Sequence, residues 1–159
     1  MTKKLLYSLL GIIPLLIGGY FLFQNLSGNS DAMLTYLDET YDYGIRYNEI
    51  VNQEAALTES GTEEELILFT QETLIPELEK IHSESKAYGE KIKETELKEL
   101  HDLDVKSIEK YIAAQYAWLE GNLEEVDALF TESEQLTSQY EEEIDKLAAK
   151  WAVEIEWEE

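Results

Sequence analysis

Residues 5–23, LLYSLLGIIPLLIGGYFLF, form a 19-residue run without a charge at the head of a chain otherwise crowded with Glu and Asp. A helix of that length spans roughly the ~30 Å hydrocarbon layer of a bilayer. Gly11, Pro14, Gly18 and Gly19 weaken a helix in water but are tolerated in one embedded in lipid. Lys3 and Lys4 precede the run, and the next basic residue is Arg46. The positive-inside bias therefore predicts residues 1–4 in the cytoplasm, a single transmembrane helix over residues 5–25, and everything after it outside the cell. A cleaved secretory signal is the competing reading. Its apolar core is usually about 7–15 residues long and ends in a small-x-small site. This run is longer, and Gly28-Asn29-Ser30 fits such a site only loosely, which favours an uncleaved anchor.

Without Lys3 and Lys4 the remainder carries ten basic and 35 acidic side chains, a formal charge of −25. No basic patch exists, so nucleic acid is excluded as a partner by charge repulsion. The absence of cysteine rules out disulfides, thiolate metal sites and a cysteine nucleophile. High charge alone suggests disorder, but the apolar residues are regularly spaced.

Residues 26–30 read as a short linker, and residues 31–159 as an acidic helical domain. Leu34, Leu37, Tyr41, Ile45 and Asn48 recur every three or four residues, which predicts a first helix ending near Ala56. Thr62 with Glu65 forms a capping box that opens a second helix. Its expected buried face is Ile67, Leu74, Leu78, Ile81, Tyr88 and Ile92. Pro76 predicts a kink or break, because it cannot bond to the carbonyl of residue 72. A third helix carries Leu97, Leu100, Ile108, Tyr111 and Trp118 after an unmarked boundary near residues 93–95. Gly121-Asn122 is a turn, and Leu123, Val126, Phe130, Tyr140, Ile144, Leu147 and Trp151 form the seam of a fourth helix. Short turns force sequential neighbours to run antiparallel. The expected fold class is all-α: an N-terminal transmembrane helix followed by an up-down four-helix bundle.

No constellation of residues amounts to a catalytic centre. Glu79-x-x-His82 has the spacing of carboxylate-bridged metal bundles, but the matching position before His101 is Lys98. Neither a metal nor a cofactor is expected. Ser and Thr residues fall at helix starts and seam positions, where capping and packing account for them. An enzyme is not expected. Gly121 to Val126, with Phe130 and Ser133, resembles the second-helix half of a tetratricopeptide repeat, which would imply peptide binding. The likeness covers about one unit, whereas stable arrays need about three, so an ordinary helical hairpin is the better account.

The first helix has a second apolar face made of Tyr36, Tyr43, Tyr47 and Ile50. Tyrosine suits interfaces, since it offers a large rigid surface with a polar tip. One reading makes this face the anchor for a protein partner or a second copy of the chain. The other makes it the rim of a core that buries the helix on two sides. With the negative field, the first reading points to an accessory or adaptor of a cell-envelope assembly that binds a basic protein. An immunity or inhibitor protein against a basic toxin or enzyme is the first alternative, and an extracytoplasmic ligand or cation sensor is the second.

Overall fold

The computed structural model describes residues 18–21 and 29–157, and among them helices dominate. Helix α1 runs from Ser30–Ser60 and stops at Gly61, whose N–H bonds to the carbonyl of Leu57 at 2.8 Å. Thr62 then opens α2 (Glu63–Phe69) with the capping box expected of it. The Thr62 hydroxyl accepts the Glu65 N–H, while the Glu65 carboxylate accepts the Thr62 N–H at 2.8 Å. These hydrogen bonds hold the Glu65 carboxyl below the ordinary range.

A π-helical turn, Thr70–Leu74, joins α2 to α3 (Ile75–Gly89). Pro76 explains it. The proline sits in the first turn of α3, where a missing N–H is tolerated, and the N–H of Ile75 reaches back to Thr70. The kink expected at Pro76 is thus taken up by one widened turn, and the two helices form one interrupted rod. The extra residue rotates everything before it by about 100°. For that reason Leu66 is buried, whereas Ile67, expected on the buried face, is exposed.

After a loop at residues 90–94 come α4 (Thr95–Glu120) and α5 (Leu123–Lys150). Gly121 closes α4 with φ +79°, and Asn122 N–H bonds back to Ala117 at 2.9 Å. An alanine at Gly121 would meet no atom within 4 Å, so only backbone strain opposes it. Gly121→Ala is expected to cost about 1 kcal/mol in urea unfolding, with an unchanged helical spectrum. A cost near zero would mean the turn relaxes out of the left-handed region.

The four rods alternate in direction. Arg46 of α1 reaches Glu77 and Glu84 of α3, and Lys110 and Lys150 of α4 and α5 pair with Glu132 and Glu96 across that hairpin. Tyr36 and Glu54 of α1 meet His101 and Gln115 of α4, so the first and third rods run parallel across the bundle. The helices pack on two apolar clusters. One gathers Tyr47, Leu78, Ile108, Tyr111, Trp118 and Phe130; the other gathers Met33, Tyr36, Leu100, Tyr140, Ile144 and Trp151.

The transmembrane helix expected over residues 5–25 lies outside the described residues except at four positions. Those four correct it locally: Gly18–Phe21 is a strand, β1, paired antiparallel with β2 (Glu154–Trp157) in the register Gly18↔Trp157 and Phe21↔Glu154. Paired glycines favour neither helix nor strand, and a run of alternating apolar and acidic residues lies alongside to pair with them. Among the described residues, no helix is long and apolar enough to cross a membrane.

Candidate interaction surface

Of the two roles open to the tyrosine face of α1, the structure gives it the second, part of a core that buries the helix on two sides. Tyr36 is 1 % exposed, Tyr47 and Ile50 each 5 %, and all three belong to the core. Tyr43 is partly buried against the same core. As anchors for a partner, Tyr36, Tyr47 and Ile50 give way to the core reading, since the folded bundle buries them, and Tyr43 is left half-covered beside them. Of the expected core stripe, Leu34 and Leu37 pack partly buried against the second cluster, Ile45 is partly buried, and Tyr41 is 44 % exposed. The reason is chemical. The buried face also carries Thr40, Glu54 and Thr58, so in the sequence it reads as the more polar side.

Glu54 is buried and accepts hydrogen bonds from the Tyr111 hydroxyl at 2.6 Å and the Gln115 amide at 2.8 Å. Burial pushes its carboxyl up, and these two bonds work against that shift. At the other end of α1, the Tyr36 hydroxyl lies 3.3 Å from His101 Nδ1 and 3.3 Å from the Tyr140 hydroxyl. His101 Nε2 is 2.8 Å from the Ser85 carbonyl. A carbonyl can only accept, so Nε2 carries the hydrogen and Nδ1 accepts from Tyr36. Gly89 makes room for this ring, since a Cβ there would stand 2.8 Å from His101 Cδ2. His101 turns inward onto Ser85 and Tyr36, while His82 remains partly buried and Glu79 accepts the Tyr116 hydroxyl at 2.8 Å. Among the described residues, no three His, Cys, Asp or Glu side chains stand where they could hold a metal.

The outer surface is overwhelmingly acidic. Of the ten cations in the described residues, Arg46, Lys98, Lys110, Lys146 and Lys150 already pair with carboxylates. Arg46 is the most enclosed of these and bonds Glu77 and Glu84 together, holding the Glu84 carboxyl below its ordinary range. Beside the Tyr41 stripe, Asp38, Asp42 and Glu49 are exposed on the same helix. A cleft of 560 Å³ opens between the start of α1 and the α3–α4 loop, lined by Tyr36, Tyr88, Leu97, Glu39, Lys91 and Lys93 among others.

The exposed Tyr41 stripe was visible in the sequence but assigned to the core. The buried Glu54 was not visible, because its partners lie 57 and 61 residues away in the chain. No protein-family model matches the chain, and no curated protein and no solved structure matches it either.

Proposed function

We propose that residues 5–25 anchor this chain in a membrane, with residues 1–4 in the cytoplasm, and that the acidic bundle stands outside as an accessory or adaptor binding a basic protein. The observation that carries this reading is the imbalance of charge: −25 beyond the two leading lysines, with half of the described cations already neutralised by neighbouring carboxylates. Such a field accelerates encounter with a cationic partner and rejects an anionic one. The docking face moves from the buried tyrosines to exposed Tyr41, with partly buried Ile45 beside it and Asp38, Glu49 and the Arg46-paired Asp42 as its acidic rim. The anchor requires residues 18–21 to leave β2 when the run enters lipid. A helix satisfies its backbone groups internally there, which a two-stranded ribbon with open edges does not.

Two measurements test this reading. A reporter fused after Glu159 is expected to be active only outside the cytoplasm, and activity inside would remove the anchor and the envelope role together. Captured from detergent-solubilised membranes, the full chain is expected to hold its basic partner, while Tyr41→Ser with Asp42→Asn weakens capture about tenfold. Equal recovery by that variant would rule out the stripe. An immunity or inhibitor protein draws on the same charge, and loss of a basic toxin's or enzyme's activity on stoichiometric addition of the chain would favour it.

A further inference from the structure

Four of the ten cations in the described residues fall between Lys86 and Lys98, at the end of the bundle where α1 and α4 begin. That end also holds the cleft between the start of α1 and the α3–α4 loop. We propose that this cleft seats the headgroup of a zwitterionic phospholipid, with Lys91 and Lys93 on its phosphate and Glu39, Glu94 and Tyr88 around its ammonium. The inference rests on the anchor reading above, since it needs the cleft beside a bilayer.

The loop presents its lysines in a fixed frame. Ile92 packs against the second apolar cluster, while the Lys91 N–H bonds to the Tyr88 carbonyl at 2.8 Å and the Ile92 N–H to the Gly89 carbonyl at 3.3 Å. Ile92 is thus held inward, and Lys91 and Lys93 stand exposed on either side of it, lining the cleft. Neither makes an ion pair with a described residue, in contrast to Lys98, Lys110, Lys146 and Lys150. A pair of lysines set in advance loses little freedom when a phosphate arrives between them.

The rest of the cleft carries the opposite charge. Asp31 and Glu39 of α1 and Glu94 before α4 line it, and Tyr36 with Tyr88 supplies aromatic surface, their ring centroids 6.3 Å apart. Burial, then Glu39, Tyr43 and Glu94, push the Tyr88 hydroxyl up, so carboxylates from two elements stand near that ring. An aromatic ring flanked by carboxylates suits an ammonium. A simple anion meets the three carboxylates as well as the lysines, and a basic peptide meets the lysines; a zwitterion pairs with both halves. The 560 Å³ cleft is of the size that takes a small polar group. Position selects the source. From residue 25, where the anchor ends, the six residues to Asp31 span at most about 20 Å. Lipid headgroups therefore face the cleft at a local concentration that no dissolved zwitterion matches.

Hydrogen exchange of the full chain in nanodiscs tests this, with phosphatidylcholine compared against a galactolipid that has neither phosphate nor ammonium. Amides of residues 91–97 are expected to exchange at least about fivefold more slowly in phosphatidylcholine, with the turn at residues 121–123 unchanged. Lys91→Gln with Lys93→Gln is expected to remove that difference, and both side chains are exposed, so the helices stay intact. Phosphatidylglycerol keeps the phosphate but lacks the ammonium, and is expected to give at most about half of the slowing. Equal exchange in phosphatidylcholine and galactolipid discs, slowing that survives the double variant, or equal slowing by phosphatidylglycerol overturns the proposal. Each of these leaves the anchor standing, because the chain still travels with the discs. A chain that separates from the discs removes the anchor, and this inference with it.

Discussion

Replacing Glu54 with alanine is expected to cost about 3 kcal/mol of unfolding free energy at pH 7. The loss has two parts. The Tyr111 hydroxyl and the Gln115 amide, which bond Glu54 at 2.6 and 2.8 Å, would stay buried with no acceptor, each at a cost of about 1–2 kcal/mol. The truncated side chain also leaves a void against Tyr111 and the neighbouring core. Because the penalty comes from stranded donors, removing them should recover most of it. The triple variant Glu54→Leu, Tyr111→Phe, Gln115→Leu is therefore expected within about 1 kcal/mol of wild type, since an apolar set of similar volume often replaces a buried polar one without loss. Urea titration measures both. A cost below about 1 kcal/mol for Glu54→Ala would mean the carboxylate is hydrated and does not bridge α1 to α4.

Asp104→Asn is expected to act in the opposite direction, and only above acid pH. The folded chain holds the Asp104 proton up to about pH 7, whereas the unfolded chain releases it near the ordinary 3.8. An acid whose pKa is raised by folding contributes stability that is complete below the unfolded value. That contribution is lost as pH rises and is gone above the folded value. Asparagine has no charge to bury. At pH 8 the variant should be about 3 kcal/mol more stable than wild type, and near pH 3.5 the two should coincide. The comparison within one pair of proteins cancels every other titrating group. Equal stabilities at pH 8 would show that water reaches the carboxyl.

Most of the helical frame was legible in the chain. Thr62 with Glu65 and Gly121 with Asn122 mark helix ends by local chemistry, and the seams of α4 and α5 lie on one side because their apolar spacing is regular. Pro76 announced a disturbance, since a missing N–H is a local fact. Its form, a π turn, was not announced, and that form moved Ile67 off the core face.

The sequence by itself determined that four amphipathic segments of opposite direction would pack together and that their surface would be strongly anionic. Each of these depends only on neighbours a few residues away or on a sum of charges. Only the tertiary structure decided which side of α1 faces inward. Helix α1 has two faces of similar apolar content, and the choice falls to the one whose polar members find partners: Tyr36 with His101 and Tyr140, and Glu54 with Tyr111 and Gln115. Those partners lie between 57 and 104 residues along the chain, and the free energy of a buried polar group depends on whether such a partner arrives.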